Sequence, residues 1–327
     1  MLFRKIMVIV NRRSGMGRGD KCLKEIVKWK KKIIAEEDVA IDIQLTSATG
    51  ENNATNLANR SVIEDYDLII GVGGDGTFHE IANALVGSGV PLGIVRAGNG
   101  NDFAKTFGIP CKTLDALSVT LTGNIVNIDV GSVNGKIFIN SVGFGFNARI
   151  VRWAESFKRK HGYLIPNIGL YTAGFLLSLF SGFKYYELRM DLFGEKGCFN
   201  NIEELATLVS IANVPTSGGL FKLTPAASPE DGLLDICWVK RTSWLKIIVF
   251  LQKAMKGTHV CLPEILKISD KRLLQASSIT LHSAQKEDFP CFADGEILPA
   301  NNHYRIKIIP KSLKVIIPVE QMHRNQA

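Results

Sequence analysis

Val72-Gly73-Gly74-Asp75-Gly76-Thr77 stands between an apolar run, Asp67 to Gly71, and a segment from Phe78 to Leu85 that reads as a helix. A strand that gives way to a helix through glycines brings backbone N–H groups and the helix's positive end onto one small space, and the missing side chains let a phosphate approach them. The stretch predicts a phosphorylated ligand. Gly71-Val72-Gly73-Gly74-Asp75-Gly76 also satisfies the G-x-G-x-x-G dinucleotide pattern. That pattern wants an acid about 20 residues on, at the end of the next strand, to hold ribose hydroxyls. Here the next strand, Pro91 to Val95, ends at Arg96. Asp75 would also set a carboxylate beside a pyrophosphate, which is unfavourable unless a metal ion lies between or the side chain faces away. A nucleotide-binding dehydrogenase is disfavoured on both counts.

Outward from this stretch, strand, glycine loop and helix alternate from Met1 to about Val130. Ile6 to Val10 leads into Asn11-Arg12-Arg13-Ser14-Gly15-Met16-Gly17-Arg18-Gly19, and Asp20 reads as the N-cap of a helix over Lys21 to Ile34. Ala40 to Leu45 is a second strand, followed by a helix near Ala54 to Arg60; Leu68 to Val72 and Leu92 to Val95 continue the series. The pattern predicts a doubly wound, Rossmann-like parallel sheet with its ligand crevice beyond the carboxyl ends of the strands. After Val130 short apolar strands take over: Lys136 to Ser141, Tyr186 to Leu192, Leu205 to Asn213, Leu233 to Val239 and Ser278 to His282, with Asn134-Gly135 as a two-residue hairpin turn. An antiparallel β-sandwich is expected there. One further helix is read over Thr242 to Lys256, with Trp244, Ile248, Leu251 and Met255 recurring on one face. The expected boundaries are 1–130 for the α/β domain, to which the tail from about 309 to 327 can return, and 131–308 for the sandwich.

At 327 residues and 46% hydrophobic content the chain suits two ordinary cores. Met1 to Val10 is too short for a secretion signal and runs into a glycine loop, so a cytoplasmic protein is expected. Six cysteines are scattered without a C-x-x-C pair, which argues against a disulfide framework or a zinc site. Net charge is +8, with clusters at Lys28, Lys30, Lys31 and Lys32 and at Lys158, Arg159, Lys160 and His161. The first reads as the solvated face of a helix whose apolar stripe is Leu23, Ile26, Val27 and Ile34. The second precedes Leu164 to Phe183, an apolar stretch interrupted by proline, glycine and polar residues; it reads as a buried or interfacial helix from about Leu170 to Phe180 rather than a span. Basic runs of this kind hold anionic membrane surfaces. Gln321 to Ala327 reads as disordered.

Further polar stretches carry candidate chemistry. The opening loop offers three glycines, a hydroxyl and three guanidinium groups to phosphates, and it is not a Walker A sequence. Gly98-Asn99-Gly100-Asn101-Asp102-Phe103-Ala104 follows the strand at Leu92, and its Asn-Asp pair also suits an N-cap. Pro229-Glu230-Asp231-Gly232-Leu233-Leu234-Asp235 offers hard oxygen ligands of the kind magnesium takes, and Ala293-Asp294-Gly295-Glu296 puts two acids on a tight turn.

The ordered set Gly73 to Thr77, Gly98 to Asp102, Asn140-Ser141-Val142-Gly143-Phe144-Gly145-Phe146-Asn147, Asp231 to Asp235 and Asp294 to Glu296 resembles the soluble bacterial diacylglycerol kinase family, relatives of sphingosine and ceramide kinases. The resemblance covers almost the whole chain. It implies an α/β domain like that of phosphofructokinase and NAD kinase, and a magnesium-dependent transfer of the ATP γ-phosphoryl group to a lipid hydroxyl. Diacylglycerol is the first expectation, a sphingoid base or other lipid alcohol the alternative. It implies nucleotide contacts at Asn11, Arg12, Arg13, Ser14, Gly15, Thr46, Gly73, Gly74, Asp75, Gly76, Thr77, Phe78, His79, Asn99, Asn101 and Asp102. Glu296 inherits the role of proton acceptor, with Asp294 and Asp75 beside it in the catalytic set. A structural Mg2+ is implied at Asp231 and the carbonyls of Ser228 and Leu233, while Asp75, Asp102, Asp129 and Asp294 match acids that the family arranges around metal and water. Two positions depart from the pattern: Arg12 replaces the family's proline and can add a phosphate contact, and Asn99 replaces its threonine. ATP, a lipid with a free hydroxyl and a peripheral membrane surface are the expected partners, nucleic acid is not, and a homodimer is admissible. An NAD kinase or phosphofructokinase shares the Gly-Gly-Asp-Gly loop but lacks Gly98 to Asp102 in combination with Asp294 to Glu296.

Overall fold

The computed structural model describes residues 2–47, 52–161, 173–174, 184–194, 197–269 and 272–319. Apart from residues 173 and 174, the helix read from about 170 to 180 lies outside the described residues, as do the tail from 321 to 327 and the side chains of residues 158–161. The chain forms two compact units, residues Met1–Ile128 with Lys311–Ala327, and residues Asp129–Pro310.

The first unit is an α/β layer structure. Its elements are β1 (Lys5–Val10), α1 (Arg18–Glu36), β2 (Ala40–Leu45), α2 (Ala54–Ile63), β3 (Leu68–Gly73), α3 (Asp75–Leu85), β4 (Leu92–Arg96), α4 (Asp102–Thr106), α5 (Thr113–Thr122) and the first half of β5 (Asn124–Val133). β1 pairs in parallel with β2 and β3, and β3 with β4. All six residues of β3 are buried, as expected of a central parallel strand covered on both faces. α3 covers it with Phe78, Ile81, Ala82 and Leu85, an i, i+3, i+4, i+7 stripe that is fully or almost fully buried. The late segment 311–317 adds a parallel edge through Val315, opposite Leu92.

The start of α1 differs from the sequence reading. α1 begins at Arg18, because Gly17 takes the left-handed conformation (φ 92°) and turns the chain into the helix earlier. Asp20 is therefore inside the first turn and not its cap. Of the stripe read on α1, Ile26 is buried, whereas Val27 and Ile34 are exposed.

The second unit is an antiparallel sandwich with two described helices. After β5 it contains β6 (Lys136–Phe138), β7 (Ser141–Gly145), α6 (Phe146–His161), β8 (Tyr186–Gly194), β9 (Gly197–Ala212), β10 (Leu234–Lys240), α7 (Trp244–Lys256), β11 (Leu266–Ser269), β12 (Arg272–Ala276), β13 (Ser278–Ser283), β14 (Phe289–Ala293), β15 (Glu296–Asn301) and the first half of β16 (His303–Ile317). β9 is the hub and pairs with β7, β8 and β10. Asn134 and Gly135 (φ 47° and 84°) make the β5–β6 hairpin turn. The strand read as continuous over Lys136 to Ser141 is instead two, broken at residues 139–140, whose N–H groups are taken by a side chain described below. Trp238, Phe138, Phe144, Phe289 and Tyr304 are the large members of the main core. Among the described residues no helix is long and apolar enough to cross a membrane.

Candidate active site

In the first unit, four loops at the carboxyl ends of β1 to β4 meet. The N–H of Asn11 donates to Val72 O (2.9 Å) and that of Thr46 to Val10 O (3.0 Å), so the residues after β1, β2 and β3 lie side by side. Asn11 Nδ2 donates to Thr77 Oγ1 at 3.0 Å, tying the opening loop to the glycine run. The N–H groups of Ala97 and Gly98 both donate to Gly73 O (2.7 and 3.0 Å). Backbone lies on backbone here: a Cβ at Gly98 would overlap Gly74 Cα, and one at Gly15 would overlap Ala97 O. These glycines are needed for close approach of the loops themselves as well as for any ligand.

Asp75 Oδ1 accepts from the N–H of Phe103 at 3.0 Å, which fixes α4 against the start of α3. α4 is not capped by a side chain; Asn101 precedes it in the left-handed region (φ 54°), with Nδ2 donating to Gly98 O and a buried Oδ1 that has no hydrogen-bond partner. Thr77, Phe78 and His79 are buried, the Phe78 ring packing near Phe103 (6.4 Å between centroids) and His79 bonding Asn83. Phe78 is wholly buried, and its N–H donates to Gly74 O (3.1 Å), so it supports the loop from behind. The first N–H groups of α3 have no partner within a helix and point out of its start, where the helix dipole adds positive potential.

Arg12 forms an ion pair with Asp20 (2.5 Å) that holds the Asp20 carboxyl below its usual range. The guanidinium expected to reach a phosphate is thus directed to α1. Arg18, the third guanidinium of the opening loop and outside the contacts that the resemblance implies, bonds Asn99 Oδ1 and Gly15 O, joining the opening loop to the loop after β4. Its signal in the sequence is only that it is the third arginine of the opening loop. Arg13 N–H donates to Asn11 Oδ1 (3.2 Å), and Ser14 N–H to Asn11 O (3.1 Å).

In the second unit, the stretches at 129, 140, 231 and 294 converge. Asp294 lies in the left-handed region (φ 48°) followed by Gly295 (φ 89°), forming the β14–β15 turn. Its carboxylate accepts the N–H groups of Ile139 (2.7 Å), Asn140 (2.9 Å) and Ser141 (3.0 Å), and its own N–H donates to Ser141 O (2.9 Å). This carboxylate is therefore the clamp that breaks the strand at 139–140. Glu296 follows the turn as the first residue of β15 and is exposed. The buried Asn213 ties the group together, its Nδ2 donating to Asp129 O (2.8 Å) and its N–H to Asn140 O (2.8 Å).

Asp129 N–H donates to Pro229 O (2.7 Å), and Asp129 Oδ2 accepts from Gly232 N–H (2.7 Å), so Asp129 holds the 228–233 loop. Asp231 Oδ1 accepts from Leu233 N–H (3.0 Å). Burial, and then the charge of Asp129, raise the Asp231 carboxyl above its usual range despite that bond. Asp235, buried beside it and bonded to Gln275 (3.0 Å), is pushed up to about 6, by burial and then by the charge of Asp231. Like charges held together in this way favour a cation among them. Two buried carboxamide oxygens nearby, Asn140 Oδ1 and Asn213 Oδ1, lack partners. Among the described residues no three His, Cys, Asp or Glu side chains are grouped to hold a metal by themselves. The donor set thus fits a hard ion that takes one or two carboxylates, carbonyls and water, as Mg2+ does.

Residues 5–133 match the family model of the diacylglycerol kinase catalytic domain, and residues 140–317 that of the YegS C-terminal NAD kinase beta sandwich-like domain. These matches describe a kinase built from a glycine-loop α/β domain and a β-sandwich. The chain belongs to the diacylglycerol kinase family, a family of lipid kinases. It is 27% identical over 278 residues to a diacylglycerol kinase of Bacillus subtilis, covering 84% of this chain and 88% of the relative. With a diacylglycerol kinase of Mycobacterium tuberculosis it shares 29% identity over 276 residues, 82% of each chain. A crystal structure of a diacylglycerol kinase from Bacillus anthracis superposes with a TM-score of 0.67 at 21% identity, covering 97% of this chain and 98% of that one. Two further chains from the same organism reach 0.73 and 0.72.

Proposed function

We propose that the protein transfers the γ-phosphoryl group of ATP to the free hydroxyl of diacylglycerol, giving ADP and phosphatidic acid. The observation that carries this reading is the gathering of residues 11–15, 46, 73–79 and 98–102 at one end of the parallel sheet, with three close glycines and the start of α3. Such an array suits a triphosphate, since phosphoryl transfer depends mainly on positioning and on neutralising charge. The first unit is the nucleotide-binding domain in this account, and the second binds the lipid.

The lipid hydroxyl oxygen bonds to the γ-phosphorus as the bond to the β–γ bridging oxygen breaks, and ADP leaves with that electron pair. Glu296 accepts the hydroxyl proton; a loose transition state needs it only late, so an exposed carboxylate of ordinary basicity is adequate. Asp294 positions Glu296 by fixing the turn before it. Asp75, Asp102 and Asp129 order the surrounding polar groups. Mg2+ bound by Asp231 with the Ser228 and Leu233 carbonyls would supply a fixed positive charge that holds the 228–235 loop. The protein works in the cytoplasm, at the membrane surface where its acceptor resides.

The test is transfer from radiolabelled ATP to a panel of lipid alcohols in mixed micelles and, in parallel, to NAD, with and without magnesium. Labelled phosphatidic acid, formed only with magnesium, is the predicted product. Preferential labelling of a sphingoid base or another lipid alcohol would refute the acceptor, and labelling of NAD alone would refute the lipid reading.

A further inference from the structure

α7, Trp-Leu-Lys-Ile-Ile-Val-Phe-Leu-Gln-Lys-Ala-Met-Lys, is held to the sandwich by Ile247, Phe250 and Ala254, which pack in a core with Cys237, Val239 and Leu266. At about 100° per residue these three point one way. The opposite side is also apolar: Trp244 is 53% exposed, Leu245 58%, Val249 44% and Met255 44%, with Gln252 among them. The other exposed large apolar residues among those described, such as Met16, Ile63 and Leu114, are single on their elements, apart from the pair Val27 and Ile34 on α1. Single exposed apolar residues are ordinary, but four on one helical face mark an interaction surface.

Charge selects the partner. From Ile236 to Pro263 the chain contains no aspartate or glutamate but carries Lys240, Arg241, Lys246, Lys253 and Lys256. Lys246 and Lys256 are exposed beside the apolar face, and Lys222 lies at the helix's end, where its N–H bonds Ala254 O. A face of this composition fits the interfacial zone of an anionic bilayer, with tryptophan at headgroup level and lysines reaching phosphates. A thirteen-residue helix is roughly 20 Å long, too small a patch for the ~800 Å2 per partner of a stable dimer.

We propose that the outward face of α7 docks the protein on anionic membranes, seating Trp244, Leu245 and Val249 among the lipids and placing Lys246, Lys253 and Lys256 at the headgroup phosphates. The proposal rests on the reading that the acceptor is a membrane lipid. It is tested on the full chain with phosphatidylcholine vesicles, with and without phosphatidylglycerol. The wild type is expected to sediment with the anionic vesicles, less so at high salt. The double variant Leu245→Glu, Val249→Glu should bind at least about tenfold more weakly, because two apolar side chains no longer leave water. It should lose vesicle-embedded diacylglycerol as a substrate in proportion and keep its rate on a water-soluble short-chain diacylglycerol. Brominated lipids should quench the wild type, and Trp244→Phe should remove that quenching. If the double variant does not fold, Lys246→Glu with Lys256→Glu gives the same reading through charge. Undiminished vesicle binding by the folded variants overturns the proposal, as does a wild type without vesicle affinity or quenching that survives Trp244→Phe. A dimer that the variants convert to monomer would assign the face to a second copy and also overturn it. Vesicle binding through α7 without phosphorylation of either acceptor would uphold the docking surface and refute the lipid-kinase reading instead.

Discussion

Asp294 shows how much a residue's surroundings change its meaning. In sequence, Asp294-Gly295-Glu296 is a turn with two acids, and the turn is there, with both Asp294 and Gly295 at positive φ. The sequence does not reveal that the Asp294 carboxylate gathers three backbone N–H groups from residues more than 150 positions away. Such bonds to a charged acceptor are worth more than neutral ones, and deleting the acceptor strands the donors. Asp294→Ala should therefore cost about 3 kcal/mol or more in a urea unfolding experiment. A loss below about 0.5 kcal/mol, the range of an ordinary surface substitution, would contradict the clamp. Arg12 makes the same point in reverse. A guanidinium in a glycine loop suggests a phosphate, yet Asp20, eight residues on, occupies it because α1 starts a turn earlier than the polar pattern indicates.

At the scale of elements, periodicity located most strands and helices and failed where two faces of one element are apolar. On α7 it selected Trp244, Ile248, Leu251 and Met255, whereas the residues in the core are Ile247, Phe250 and Ala254. With nine of thirteen positions hydrophobic the pattern cannot choose a side, and tertiary packing decides. The turn His259–Cys261 after α7 fixes that choice. His259 is fully buried, one ring nitrogen bonded to Leu223 O (2.9 Å), the ring edge-on to Phe250 (5.3 Å), and Nδ1 without a partner. Burial lowers its pKa from the ordinary 6.5. The folded protein thus holds His259 neutral while the unfolded chain protonates it, so its contribution is complete above pH 6.5 and declines as pH falls through that value toward the lower folded one. Thermal unfolding from pH 7.5 to 5.5 should show a drop in Tm that is smaller in His259→Gln. An identical drop in the variant would remove His259 from the acid response.

For the whole molecule, alternation of strand, glycine loop and helix was enough to read an α/β unit, and the change to short strands after Val130 marked the sandwich. Strand order was not legible. That Val315 pairs with Leu92, or that β9 is the hub of the second unit, depends on contacts between residues far apart in sequence, which no local pattern encodes. Order also decides which loops become neighbours: β1 lies between β2 and β3, so Asn11 reaches Thr77 and Thr46 sits beside the opening loop. The central claim is that one reaction uses both halves of the chain, the first unit for the triphosphate and Glu296 of the second for the proton. Its most direct test is Glu296→Gln, measured for ATP affinity by titration calorimetry and for transfer to diacylglycerol in a single turnover. We predict unchanged ATP affinity and Tm with transfer slower by about 10²–10⁴-fold, the usual worth of a general base. Transfer at the wild-type rate would contradict the account.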